Sequence, residues 1–170
     1  MLAWIVIILI LVGVDQITKA LIVSASASWA LDGLRPTLPI IEDFFHFTYV
    51  RNSGAVFGIF EGSAEEHWWV FLIFMSIAIV VFGYMFIKND FKDKRNFWYT
   101  LSLTLLIAGA FGNALDRIFQ SDHNVVDFID FRGIWDYVFN VADMCLNVGI
   151  AIFIFDQFFL EPKRKAKING

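Results

Sequence analysis

Apolar residues gather in four long stretches along this chain, and shorter segments rich in charged residues separate them. A helix needs about 20 largely apolar residues to cross the hydrocarbon core of a bilayer, and each stretch is long enough. The pattern predicts an all-α membrane protein, a bundle of four transmembrane helices that forms one domain over residues 1–170. The predicted spans are residues 2–23, 67–87, 97–115 and 139–160.

The segment between the first two spans, residues 24–66, carries strand signals. "FHFTYVR", residues 45–51, alternates large apolar and more polar side chains, which is the period of a half-buried strand. "NSG", residues 52–54, supplies turn chemistry, and "AVFGIF", residues 55–60, is predicted to return as a second strand. We therefore expect a small β-sheet cradle on the outer face of the membrane. Ser63 and Glu66 have the spacing of a capping box that opens the second span.

Composition agrees with a membrane protein. Hydrophobic residues make up 58% of the chain and the mean hydropathy is +0.65, whereas soluble domains average about 45–50% apolar residues. The single cysteine, Cys145, excludes an internal disulfide and any metal site built from several cysteines.

The positions of basic residues predict the orientation. Eight of the thirteen Lys and Arg residues lie in two segments, "KNDFKDKR" between the second and third spans and "EPKRKAK" after the fourth. A four-span topology puts both segments on one side, and an excess of Lys and Arg marks the cytoplasmic side. Both termini are therefore predicted to be cytoplasmic, while residues 24–66 and 116–138 face outward.

Polar residues interrupt three of the four spans near their predicted outer ends. They pair by helical spacing: Asp15 with Lys19, Asn113 with Arg117, and Asn140 with Asp143. Each pair alone has a structural explanation, since an ion pair can join helices and an arginine at a helix end can extend to the lipid head groups. Their shared depth, however, predicts a functional site, because ionisable residues inside a membrane are costly.

Two further sequence features belong to this region. In the loop before the fourth span, "NVVDFIDF" places Asp127 and Asp130 between apolar residues, so we expect this loop to lie against the membrane or the bundle. In the third span, the small residues Gly109 and Gly112 are predicted to let another helix approach closely.

The absence of other motifs narrows the chemistry to carboxylates. The sequence contains neither HExxH nor GxSxG. Its three histidines, one of them the first residue of the second span, are predicted to be interfacial, and Asp156 is predicted to reach the opposite interface. Two carboxyl groups held close together share one proton, so one can activate water while the other donates a hydrogen bond to a carbonyl. Asp127 and Asp143 are the best candidates for such a pair.

Two other classes of function remain open on the residues alone. A small proton- or ion-coupled transporter would use Asp15, Lys19, Asp127 and Asp143 as a relay, but the polar residues stop at mid-membrane. A non-catalytic assembly protein would explain the small-residue helix faces and leave the carboxylates unexplained.

Five motifs then occur in the order and spacing of the lipoprotein signal peptidases, the bacterial type II signal peptidases, which this chain resembles over nearly its whole length. They are "DQITK", "RNSGAVFG", "AGAFGNALDR", "VVDFIDF" and "FNVADMCLNVG". The resemblance implies an aspartyl protease of the bacterial inner membrane, with its active site near the outer leaflet. Its substrates would be prolipoproteins, cut just before a cysteine that carries diacylglycerol.

The resemblance also implies roles for individual residues. Asp127 and Asp143 would be the catalytic pair. The residues that shape the site or contact substrate would be Asp15, Lys19, Asn52, Gly54, Asn113, Arg117 and Asn140. It further implies inhibition by the peptide antibiotic globomycin. A site built within one bundle needs no partner chain, so we expect activity as a monomer in contact with membrane lipids, without a metal, cofactor or nucleic acid. Met144 stands where the family usually has a small hydroxyl residue, so a hydrogen bond to Asp143 is either missing or supplied by another residue.

Overall fold

The computed structural model describes residues 1–54 and 67–169, with side chains as far as Lys165. Within these residues, four helical segments are long and apolar enough to cross a membrane, as the hydropathy pattern predicts. Their α-helices are α1 (Leu2–Ser26), α2 (Trp68–Lys88), α3 (Phe97–Phe119) and α4 (Val141–Phe155). A 3-10 turn, Lys94–Asn96, leads into α3, and one π-helical turn, Asp156–Leu160, joins α4 to α5 (Glu161–Asn169).

Helix α3 forms the centre of the bundle, since most of its side chains are buried, whereas α1, α2 and α4 expose large apolar side chains such as Leu9, Phe74 and Ile154. That distribution suits helices whose outer faces contact lipid. As predicted, Gly109 and Gly112 allow close approach. A Cβ atom at Gly112 would lie 2.7 Å from Asp15 Oδ2 on α1, and one at Gly109 would lie 2.5 Å from a backbone oxygen of α4.

The small sheet has four antiparallel strands in the order β1 (Ala30–Asp32), β2 (Arg35–Ile41), β3 (Phe45–Asn52) and β4 (Val125–Phe131). Strand β3 confirms the prediction from "FHFTYVR". The return strand at residues 55–60 and the capping box of Ser63 and Glu66 lie outside the described residues.

Strand β4 corrects the prediction that Asp127 lies in a loop. It pairs with β3, with Asp127 opposite Val50 and Val125 opposite Asn52. Its first five residues are all buried, so the segment lacks the alternation that marks a half-buried strand. Aromatic side chains around Phe47 and Phe128 pack this sheet against Ile22 at the end of α1, which places β4 beside the helix ends.

Two polar residues are more buried than the sequence predicts. His46 is only 7% exposed, because it shares the buried face of β3 with Thr48. Asp156 does not reach an interface: it is fully buried, and its two oxygens accept hydrogen bonds of 2.8 and 2.6 Å from the Arg164 guanidinium. The basic tail thus continues the helix as α5 and supplies the cation that a buried carboxylate requires.

Candidate active site

Asp127 lies on β4 with its carboxylate held by two neutral amides. It is 1% exposed. Asn140 Nδ2 donates to Oδ1 at 2.7 Å, and Asn52 Nδ2, from the end of β3, donates to Oδ2 at 2.7 Å. The carboxyl group therefore has hydrogen-bond partners on both oxygens and no ion pair with a Lys or Arg of the described residues.

Asp143 lies in the first turn of α4, where it completes a capping box with Asn140. Asn140 Oδ1 accepts from the Asp143 backbone N–H at 2.8 Å, and Asp143 Oδ2 accepts from the Asn140 N–H at 3.2 Å. Asn113 Nδ2 of α3 donates to Asp143 Oδ1 at 2.7 Å. This amide supplies the hydrogen bond that Met144 cannot make. Asn140 therefore contacts both aspartates and starts the helix that carries one of them.

The electrostatics of Asp127 follow from this arrangement. Burial, and then the charge of Asp143, raise the pKa of Asp127 to about 7, far above the value of about 3.9 for a solvated aspartate. Hydrogen bonds from Asn52 and Asn140 act in the opposite direction and are outweighed. A carboxyl group that keeps its proton near neutral pH, beside a second carboxylate, suits general acid–base chemistry.

A buried ion-pair network supports the two aspartates from beneath. Lys19 Nζ lies 2.9 Å from Asp15 Oδ2 and 3.0 Å from Asp116 Oδ2, and it donates to Asn113 Oδ1 at 3.0 Å. Asp15 Oδ1 accepts from the Ala142 N–H at 2.9 Å. One lysine therefore connects α1 to α3, and Asp15 connects α1 to the first turn of α4.

Asp116 is the member of this network that the sequence reading missed. Besides Lys19, it binds the Val126 N–H of β4 at 3.0 Å and Gln16 Nε2 at 2.9 Å. The available signal was its spacing of three residues from Asn113, which places both side chains on one face of α3. The third span was predicted to end just before it.

Arg117 and Gly54 lie at the edge of the cluster. Arg117 does not extend to a lipid surface, being 2% exposed. Its Nη1 donates to the carbonyls of Ser53 at 3.3 Å and His123 at 3.1 Å, and the guanidinium lies 4.9 Å from the Phe71 ring centre.

Gly54 orients Asn52, because its N–H donates to Asn52 Oδ1 at 2.8 Å and so directs the other amide atom at Asp127. Its φ of +103° favours glycine, and a Cβ there would lie 2.5 Å from the Phe71 ring. The structure thus joins eight of the nine predicted site residues in one cluster of hydrogen bonds and ion pairs and places Arg117 at its edge.

The fold and this cluster define a multi-pass membrane protein with two neighbouring carboxyl groups at one end of its helix bundle. The chain belongs to the signal peptidase II family: the sequence model described as signal peptidase (SPase) II matches residues 7–159. That membership identifies a peptidase, and it gives no support to the transporter alternative.

Named relatives agree with this family. The chain is 37% identical to the lipoprotein signal peptidase of Fusobacterium nucleatum over 159 residues, which cover 94% of this chain and 88% of the relative. It is also 37% identical to that of Clostridioides difficile, with 95% of this chain and 99% of the relative covered.

A solved structure described as a bacterial membrane enzyme, determined by the in meso method at 1.9 Å, matches with a TM-score of 0.73 and 31% identity, covering 92% of this chain and 93% of that one. A second structure of the same description, at 2.3 Å, matches with the same TM-score and 30% identity, covering 91% and 87%.

Proposed function

We propose that this chain is an aspartic endopeptidase that removes signal peptides from diacylglyceryl-modified prolipoproteins, cutting just before the lipid-modified cysteine. Family membership and relatives named lipoprotein signal peptidase support the reaction class. The observation that carries the catalytic assignment is the buried Asp127, held by two amides next to Asp143 and lacking a paired cation among the described residues.

The reaction uses one ionised and one protonated carboxyl group. The ionised member takes a proton from water, which attacks the scissile carbonyl carbon. The protonated member donates to the carbonyl oxygen as negative charge develops there. When the tetrahedral intermediate collapses, the aspartate that took the proton from water gives it to the leaving amine. The pair then again has one ionised and one protonated carboxyl group. The pair titrates as a unit, so the shared proton belongs to both aspartates.

The other site residues act by positioning. Asn52 and Asn140 orient Asp127, while Asn113 and the capping box orient Asp143. Asp15 and Lys19 hold the helices that carry them.

Arg117 holds the segment after β3 and the segment before β4, through the carbonyls of Ser53 and His123. Gly54 holds the Asn52 side-chain amide. These assignments add Asp116 to the set that the sequence suggested.

We infer the membrane orientation from charge. The inner side carries the basic residues of the loop after α2 and of the tail, so both termini lie in the bacterial cytoplasm. The site, at the opposite end of the bundle, then meets the outer leaflet, where the sheet forms a cradle and a lipid-anchored peptide bond meets water. One chain supplies all the site residues, from its helices and its sheet, which supports a single domain that acts as a monomer. We expect globomycin to compete with substrate here. The basic residues are Lys88, Lys92, Lys94, Arg95, Lys163, Arg164, Lys165 and Lys167.

The test is cleavage of a diacylglyceryl-modified prolipoprotein by purified protein in detergent. Asp127→Asn and Asp143→Asn should each lower kcat by about 100-fold or more, the scale of general acid–base catalysis, while substrate binding is retained. Asp130→Asn, a change to another acid of β4 that accepts from Thr48 at 2.7 Å, is the matched control and should leave kcat within about threefold of wild type. Near-normal turnover by either site variant would refute the catalytic pair.

A further inference from the structure

An open groove of about 340 Å³ lies beside Asp143, between the first turns of α4 and the segment that follows β4. Its walls are mostly apolar and include Phe131, Trp135, Phe139 and Val148. Ile134, Trp135, Met144 and Val148 are exposed, so most of the groove's apolar side chains are left uncovered by the rest of the described chain.

One side chain in this groove has no structural explanation. Asn147 is the polar residue among the described residues that line it. It is exposed although it lies within a membrane-spanning helix. Its amide makes no hydrogen bond or ring contact with any described residue. An amide in apolar surroundings without a partner costs on the order of 1–3 kcal/mol, so this amide is available to a bound molecule.

The position of Asn147 relates the groove to the reaction. It follows Asp143 by four residues, so both side chains lie on one face of α4, about 6 Å apart along the helix axis. Met144, also on the groove wall, is exposed next to Asp143. A group bound in the groove therefore lies about one helical turn from the scissile bond.

The chemistry of the groove selects one part of the substrate. The modified cysteine directly follows the scissile bond, so its diacylglyceryl group must be held within a few ångströms of the two aspartates. An acyl ester offers one carbonyl acceptor followed by a long apolar chain, which matches one amide donor in an apolar groove. A signal-peptide helix makes its own backbone hydrogen bonds and needs no such donor.

We propose that the α4 groove binds an acyl ester of the substrate's diacylglyceryl group, with the Asn147 amide donating to the ester carbonyl and the apolar walls covering the chain. This inference rests on the proposed function, since it assigns a subsite of the same active site. Asn147 is thus a positioning residue for lipid recognition and takes no part in proton transfer.

The test measures binding of two peptides to the purified protein in detergent. One carries the N-terminal diacylglyceryl cysteine of a mature lipoprotein, and the other has the same sequence with unmodified cysteine. Asn147→Leu should weaken binding of the lipidated peptide by about 3- to 10-fold, the contribution of one neutral hydrogen bond, and leave the unmodified peptide unchanged. In turnover assays the same variant should raise KM for prolipoprotein and preserve kcat.

A second variant tests the groove without removing the amide. Val148→Trp fills it and should weaken the lipidated peptide by about tenfold or more. Ile154→Trp, the same kind of change at an exposed position about 9 Å further along α4, is the matched control and should have no effect.

Equal losses for both peptides would assign the groove to the polypeptide and overturn the proposal, as would no loss for either peptide. Failure of the proposed function looks different: the wild-type protein would not cleave prolipoprotein, whatever the binding of the lipidated peptide.

Discussion

Both ends of the helix bundle bury carboxylates, yet the two ends balance that charge differently. At the tail end, Asp156 has Arg164 as a bidentate partner, one acid with one base. At the sheet end, Asp15 and Asp116 share Lys19 as their cation. Asp127 and Asp143, in contrast, accept hydrogen bonds from neutral amides.

This difference distinguishes a structural ion pair from the proposed catalytic pair. A carboxylate paired with an arginine stays ionised, since both charges favour that state. Asparagine amides orient a carboxyl group without adding a formal charge, so they leave it able to gain and lose a proton. The amide partners therefore mark which buried aspartates are suited to catalysis.

The largest expected effect is the pH dependence of the sheet end. Because the folded protein raises the pKa of Asp127 to about 7, the pair loses its shared proton as pH rises through that value. The value of kcat/KM, which reports the pKa values of the free enzyme, should then fall by about tenfold per pH unit on the alkaline side, as one required proton is lost. A kcat/KM profile measured from pH 5 to 9 checks this, and a profile that stays flat above pH 7 would contradict it.

The same titration should make the free energy of unfolding depend on pH. A folded pKa above the unfolded value of about 3.9 stabilises the protein below pH 4, and this contribution is lost as pH rises to about 7. Asp127→Asn removes it, so the stability of the variant relative to wild type should increase across that pH window.

Removing the shared cation should cause the largest loss of stability at a single site. Lys19→Met leaves Asp15 and Asp116 buried without their lysine, and breaking a buried pair in this way costs about 3–5 kcal/mol. Denaturant titration in detergent measures the loss in the free energy of unfolding. A loss below about 1 kcal/mol would mean that the two carboxylates find another partner.

A methyl group between α1, α3 and α4 should have an intermediate effect. Gly112→Ala places a Cβ 2.7 Å from Asp15 Oδ2 and 2.9 Å from the Ala142 Cβ, and such overpacking costs about 1–3 kcal/mol. Gly83→Ala on α2 meets nothing within 4 Å and should be neutral or slightly stabilising. Thermal unfolding of both variants compares them, and equal shifts would argue against tight packing at Gly112.

The smallest effect is expected at the tail end. Asp156→Asn removes one charge of the matched pair, but Arg164 is 14% exposed and can extend into water. We expect a loss of about 1 kcal/mol in unfolding free energy and no change in kcat. A large fall in kcat would mean that the ion pair at the tail end contributes to catalysis, and would contradict its purely structural role.

The four spans are predictable because hydropathy is a local property of the sequence. The limits of that rule appear at Asp116, where the predicted third span stops and α3 continues to Phe119. Asp116 remains helical and buried because Lys19, from a helix about 100 residues earlier, neutralises it. A hydropathy average over the residues around Asp116 does not include Lys19, so it cannot predict this burial.

Strand β4 escaped prediction for a related reason. Its partner β3 lies about 75 residues away, and no short turn connects them. Helical spacing nevertheless relates Asp15 to Lys19 and Asn140 to Asp143, so these two contacts were predictable from the sequence. The amide contacts to Asp127 were not, because they join side chains from β3, β4 and the start of α4.

The capping box at Asn140 limits where residues can be inserted into this part of the chain. The residue that begins α4 also holds Asp127, so the helix start and the distance between the aspartates are set together. One residue inserted between Asn140 and Asp143 would rotate Asp143 by about 100° away from its partner. The segment between β4 and Phe139 is free of this constraint, so its length can change while the proposed catalytic pair stays in place.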